Sequence, residues 1–173
     1  MSADGARHLV IMGVAGSGKT TVAQLLASKL GWVSAEADEF HSAANIAKMA
    51  AGTALSDEDR WPWLRAIRRW LDEQEAAGRR AVVTCSALKR AYRDILAGPQ
   101  HDVTFVHLTG SAELIAARMQ HRKGHFMPPS LLPSQFQTLE ALGTDENGIA
   151  VDISGTPEQI ADEVIDRLGL RQG

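Results

Sequence analysis

The stretch Gly13-Val14-Ala15-Gly16-Ser17-Gly18-Lys19-Thr20 constrains this chain more than any other. It fits G-x-x-x-x-G-K-[ST], the pattern of a phosphate-binding loop. Glycines let successive backbone N–H groups turn inward around phosphate oxygens. The N-terminus of the following helix adds partial positive charge. Lys19 places a cation on the outer phosphates, and the Thr20 hydroxyl can ligate Mg²⁺. Gly13, Gly16, Ser17, Gly18, Lys19, Thr20 and Thr21 are therefore the expected contacts to ATP. The context agrees. Leu9 to Met12 is an apolar run without alternation, as expected of a parallel strand buried on both faces. Behind the loop, Val22, Leu25, Leu26 and Leu30 recur at helical spacing until Gly31 stops them.

The rest of the chain alternates. Apolar runs at 32–35, 81–85, 103–108 and 149–153 read as four more strands. Helical patterns occupy 41–49, 57–77, 88–96, 112–121, 133–142 and 157–168. Strands alternating with helices predict parallel βαβ units with right-handed crossovers. The expected fold class is α/β: a five-stranded parallel sheet with helices on both faces, in three layers. One pattern breaks, at Arg122-Lys123-Gly124-His125-Phe126-Met127-Pro128-Pro129, and reads as a mobile lid over about 122–136. The 173 residues suit one domain over 1–173. A net charge of −3 argues against general nucleic-acid binding. No stretch is long enough to span a membrane, and no signal peptide is evident, so a soluble cytoplasmic protein is expected. Cys85 is the single cysteine, which excludes an intrachain disulfide, and its place at a strand end reads as packing. The six histidines show no metal-ligand spacing.

A phosphate loop specifies a nucleotide and leaves the reaction open. A small-molecule kinase, a nucleotide-driven switch or motor, and a sensor without turnover all remain. Switches and motors place an acidic Mg²⁺ partner after an apolar strand. Here the third strand ends in Thr84-Cys85-Ser86, without an acid. The acids follow the second strand, at Glu36 and Asp38, where alternate residues share a face. One carboxylate near Mg²⁺ and one at an acceptor hydroxyl is an arrangement that suits a small-molecule kinase. Asp38 is the candidate to take the hydroxyl proton; its structural alternative is a helix cap. Arg118 and Arg122 lie four apart, on one helical face beside the lid. With His125 they lie in or beside the lid, whose closure would exclude water and bring arginine to the phosphates.

Three further stretches resemble the gluconokinase family. The first runs from Asp38-Glu39-Phe40-His41 through Asn45, Lys48 and Gly52 to Asp57-Glu58-Asp59-Arg60-Trp61-Pro62-Trp63-Leu64. The second is Cys85-Ser86-Ala87-Leu88-Lys89-Arg90-Ala91-Tyr92-Arg93-Asp94. The third is Arg122-Lys123-Gly124-His125-Phe126-Met127-Pro128, followed by Ser134-Gln135-Phe136 and Leu139-Glu140. Together with the phosphate loop they cover most of residues 9–142 in the family's order. The resemblance implies a P-loop kinase fold, with ATP and Mg²⁺ as cofactors. It implies transfer of a phosphoryl group to the 6-hydroxyl of D-gluconate, and a homodimer.

The family's usual Asp-Gly-Asp-x-x-His is Glu36-Ala37-Asp38-Glu39-Phe40-His41 here, so a longer arm stands at the metal position. Whether Glu36 reaches Mg²⁺ directly or through water stays open. An acid sugar brings a carboxylate, which a net-negative protein must meet with local cations. Arg60, Lys89 and Arg93 are the candidates, because arginine offers a planar fork. His41, Lys48, His125 and Gln135 complete the expected sugar contacts. The plainer alternatives are Arg60 paired with Asp57 or Asp59 and Arg93 on a solvated helix face. Trp63 is the tryptophan placed to reach the pocket; Trp32, Trp61 and Trp70 read as core. A kinase of another hydroxylated acid, such as shikimate, is the second reading.

Overall fold

β1 (His8–Met12) is buried along its whole length because strands flank it on both sides and helices cover both faces. The computed structural model describes residues 8–53, 55–99, 102–120 and 132–170. After β1 come α1 (Lys19–Leu30), β2 (Val33–Glu36), a 3₁₀ turn (Ala37–Phe40), α2 (Ala43–Ala50), α3 (Asp57–Ala76) and β3 (Ala81–Thr84). Then follow α4 (Arg90–Ala97), β4 (Val103–Thr109), α5 (Ala112–Gln120), α6 (Leu132–Thr138), β5 (Gly148–Asp152) and α7 (Pro157–Leu168). The five strands pair in parallel in the order β2-β3-β1-β4-β5. His8 aligns with both Ala81 and Val103, so the three central strands start level. Their carboxyl ends consequently open along one edge, where ligands of such sheets bind.

Alternation along the strands divides the interior into two layers. Leu9 and Ile11, with Val82, Val106 and Val151, pack under Val22, Leu26 and Leu30 of α1 and Ile160 and Val164 of α7. Val10 and Met12, with Val83 and Phe105, pack under Leu64, Ile67 and Leu71 of α3 and Tyr92 and Leu96 of α4. Burying each such aliphatic side chain is worth about 1.5–3 kcal/mol. Among the described residues, no helix is long and apolar enough to cross a membrane.

Element boundaries depart from the hydrophobic pattern where polar groups intervene. The chain after β2 makes a 3₁₀ turn that the pattern does not show. Within it the side chains of Glu36 and Glu39 cap each other's backbone N–H groups. α2 begins at Ala43, not at His41, because the Ser42 hydroxyl accepts the Asn45 N–H at 3.1 Å. α4 begins at Arg90, not at Leu88. Ala87 just before it has a φ of +47°, in the left-handed region that a helix cannot use. α6 stops at Thr138, short of Leu142: the Glu140 N–H leaves the helix and donates to the Leu88 carbonyl at 2.7 Å. The segment 121–131, which holds most of the expected lid, lies outside the described residues.

At the opposite end of the sheet from the phosphate loop, His8 is fully buried beside Glu75 and Asp102. Three such donors lie close enough to hold a metal ion. However, the Nδ1 atom of His8 accepts the Ala81 N–H at 3.2 Å, so Nε2 carries the ring proton. Nε2 faces Glu75 Oε1 at 3.3 Å, while Asp102 is already bound by Arg68 at 3.0 Å. The ring is thus a proton donor toward acids. Burial pulls its pKa below 6.5, against the raising influence of Asp102 and Glu75. The unfolded chain therefore takes up this proton at a higher pH than the folded one, and stability falls as pH drops below about 6.5. Urea unfolding from about pH 7.5 to about pH 5.5 should show this loss, and His8→Gln should flatten part of the slope. An unchanged slope in the variant would remove His8 from the account.

Candidate active site: the phosphate loop and the carboxyl ends of β2 and β3

The loop after β1 is built around absent side chains. Gly13 has a φ of +147°, and a β-carbon there would lie 2.8 Å from Ser17 Oγ and 2.9 Å from the Leu108 carbonyl oxygen. Gly16 and Gly18 also have positive φ, 82° and 94°. The Ser17 hydroxyl is buried and has no hydrogen-bond partner among the described residues. A concave loop with an unsatisfied hydroxyl and the start of α1 behind it fits an anion. Lys19 Nζ donates to the Gly13 and Val14 carbonyls at 3.1 and 3.0 Å, so its cation sits over the loop. Thr21 opens outward on α1.

Thr20 Oγ1 donates to Glu36 Oε1 at 2.7 Å. The end of β2 thus brings a carboxylate against the phosphate-loop hydroxyl, across 16 residues of chain. Two hard oxygen donors side by side at this position suit Mg²⁺. Asp38 lies in the 3₁₀ turn that follows. The water-poor walls of the cleft raise its pKa first, Glu36 raises it further, and Lys19 opposes both. Cys85, at the end of β3, is buried, and its thiol is pushed up to about 12 by that burial. Lys19 and Arg60 pull it the other way through their charge, and Asp38 adds to the rise.

The expected sugar cations fall into three situations. Arg60 and Lys89 converge on Tyr92. Arg60 donates to the Tyr92 hydroxyl at 2.7 Å, and that hydroxyl donates to Asp57 Oδ1 at 2.6 Å. Lys89 reaches the same carboxylate at 3.3 Å, and both cations lie over the Tyr92 ring. The Tyr92 hydrogen bond, with Lys89 and Arg60, holds the Asp57 carboxyl below its usual range. Lys48 stands apart, paired with Asp59 at 2.9 Å at the exposed rim. Arg93 is the correction. Its side chain is 1% exposed and grips Glu146 through Nε at 2.7 Å and Nη2 at 3.1 Å. It also donates to the Ala87 and Ala141 carbonyls. A fork so engaged is neither offered to a substrate nor on a solvated face; a carboxylate of the protein already fills it.

Gln135 also departs from expectation. Its side-chain oxygen accepts the Ala15 N–H at 2.6 Å, which places α6 on the phosphate loop. Arg118 donates to the Ile153 carbonyl at 2.7 Å, at the end of β5. Arg122 and His125 lie outside the described residues. Trp63 is buried: its indole N–H donates to the Ala37 carbonyl at 2.8 Å, and its ring stacks on His41 at 4.1 Å. Trp63 therefore supports the histidine from behind. Sequence reasoning passed over Asp57 and Tyr92 as site residues, and Asn45 beside His41. Tyr92 is the chain's single tyrosine, and Asn45 follows His41 by four, the helical spacing of neighbours; both signals were available.

A family model described as "AAA domain" matches residues 9–127. The chain is 52% identical over 159 residues to a gluconokinase of Gluconobacter oxydans (strain 621H), covering 92% of this chain and 89% of that one. Among solved structures, an unliganded sugar kinase from Janibacter sp. HTCC2649 superposes with a TM-score of 0.90 at 54% identity, over 95% of each chain. A gluconokinase from Sinorhizobium meliloti 1021 superposes with a TM-score of 0.84 at 43% identity, over 96% of this chain and 92% of that one.

The Arg93 assignment is testable by stability. Arg93→Ala strands the buried Glu146 carboxylate and should lower the unfolding free energy by about 3–5 kcal/mol in urea titration. A loss under about 1 kcal/mol would mean that the pair is effectively solvated.

Proposed function

The chain belongs to the gluconokinase family, and we propose that it transfers the terminal phosphoryl group of ATP to the 6-hydroxyl of D-gluconate, giving 6-phospho-D-gluconate and ADP. The observation that carries this reading is the meeting of two unlike sites at one edge of the sheet. One is an anion cradle with Thr20 against Glu36. The other is the Arg60 and Lys89 pair around Tyr92. Asp38 feels the charges of Glu36 and Lys19 in the first.

In this reading Gly13, Gly16, Ser17, Gly18 and Thr21 frame the triphosphate, and Lys19 leaves its carbonyls to face the outer phosphates. Thr20 and Glu36 hold Mg²⁺. When bound, the ion neutralises charge on the phosphoryl group in transfer. Arg60 and Lys89 take the sugar carboxylate, with the Asp57 carboxylate occupying their donors before substrate enters. His41 and Lys48 address hydroxyls. Asp38 orients the 6-hydroxyl and accepts its proton as the oxygen bonds to phosphorus and the bond to ADP breaks. The raised pKa of Asp38 suits it to hold that proton. Arg118 serves the nucleotide from the end of β5, Gln135 steadies the phosphate loop, and Arg122 and His125 belong to a lid over about 122–136. The whole works as one domain, in a cytoplasmic homodimer.

With Mg²⁺ and ATP, the purified protein should release ADP with D-gluconate and form the 6-phosphate, with far slower release on shikimate. Equal rates on the two acids would make it a broader acid kinase, and no transfer to any polyol acid would leave a nucleotide sensor. Asp38→Asn should lower kcat by about 10²-fold or more while ATP binding persists; near-normal turnover would reduce Asp38 to a cap.

A further inference from the structure

His41 has its ring chemistry settled by one neighbour. Asn45 Nδ2 donates to the Asp59 carbonyl at 3.0 Å. A carbonyl only accepts, so the atom facing it is the amide nitrogen, and the orientation of the Asn45 carboxamide is fixed. That same nitrogen lies 3.3 Å from His41 Nδ1. Its second hydrogen therefore points at Nδ1, which must accept. A neutral imidazole accepting at Nδ1 carries its proton on Nε2. Trp63 stacks flat on the ring, 4.1 Å between centroids and 12° between planes, and holds its orientation. Asn45 itself is 6% exposed and cannot swing away into solvent.

We infer that Asn45 is a positioning residue that locks His41 as a neutral Nε2–H donor, so that His41 gives a hydrogen bond to an oxygen of the sugar acid and takes no proton in the reaction. The donor role rests on the gluconate reading above; the tautomer does not. The charged surroundings agree with the geometry. Burial, followed by the positive charge of Arg60 on α3, lowers the His41 pKa to about 4. Asp59, also on α3, turns its carboxylate to Lys48 of α2 and presents only its carbonyl to Asn45. Asp38 in the 3₁₀ turn meets the His41 backbone N–H with its carbonyl. Among the described residues, Nε2 has no hydrogen-bond partner, which leaves it available to a ligand. With His41 fixed as a donor, Asp38 remains as the group that takes the hydroxyl proton.

Long-range ¹H–¹⁵N spectra of the ¹⁵N-histidine-labelled protein, without substrate, read the tautomer directly. The expected His41 signal is the Nε2–H form, unchanged down to about pH 5. A proton on Nδ1, or an ordinary titration near 6.5, would overturn the lock. Asn45→Asp should let His41 titrate nearer neutrality with its proton on Nδ1. The kcat/KM for gluconate should then fall about tenfold as pH rises past the new pKa, because Nε2 loses its hydrogen, while KM for ATP stays constant. Should that variant fail to fold, His41→Gln and His41→Leu replace it. The glutamine retains a donor near Nε2 and should keep KM for gluconate within about threefold of wild type, whereas the leucine should raise it about tenfold or more. Equal KM values in the two would overturn the donor role. A correct spectrum in a protein that phosphorylates no sugar acid would instead refute the gluconate reading and leave the tautomer standing.

Discussion

Backbone crowding at Gly13 is the constraint on which the rest of the structure turns. The end of β1 must pass so near the Leu108 carbonyl and the Ser17 hydroxyl that no β-carbon fits. In return, the Gly13 N–H reaches the Ser86 carbonyl at 3.3 Å, and the Cys85 N–H reaches the Ile11 carbonyl at 3.0 Å. The phosphate loop is thereby tied to β4 on one side and to the turn after β3 on the other. Every group that faces it from those strands inherits its position from this junction.

That junction explains why the acids and cations occupy separate shores of one cleft. β2 and β3 end level, through the pairing of Glu36 with Thr84. Glu36 meets Thr20 directly, and the 3₁₀ turn then carries Asp38 across the mouth of the cleft. Beyond β3, the left-handed Ala87 redirects the chain into α4, which delivers Lys89, Tyr92 and Arg93 in one turn. Only two of these face the cleft. Arg93 points back into the protein, where Glu146 and the Ala87 carbonyl hold the turn in shape. One of the two arginines expected to meet a carboxylate thus supports the site from beneath.

The phosphate loop, the five strands and both helical layers were legible because each rests on local pattern: glycine spacing, apolar runs and 3.6-residue periodicity. Glu36 and Asp38 were legible as a pair by alternation, though a strict shared strand face does not apply, since the strand ends between them. What pattern could not show was pairing across distance. Whether Arg93 meets a substrate or Glu146 is decided 53 residues away, and whether Gln135 meets sugar or Ala15 is decided 120 residues away. The 3₁₀ turn escaped for a different reason: Ala37 to Phe40 has too few residues to display a period. Asn45 stood in a family-like stretch, but its two acceptors, His41 Nδ1 and the Asp59 carbonyl, are set by the fold.

The division of the core into two layers has a consequence for how damage accumulates. Leu26 and Leu64 answer to different faces of the sheet. Changes in side chains more than about 10 Å apart that share no partners combine as simple sums. The central strands belong to both: Leu9 and Ile11 of β1, Val82 of β3 and Val106 of β4 lie in one layer, and Val10, Met12, Val83 and Phe105 in the other. A shift of any of these strands is felt by both halves together, which makes the middle of the sheet the place where independent weaknesses become cooperative.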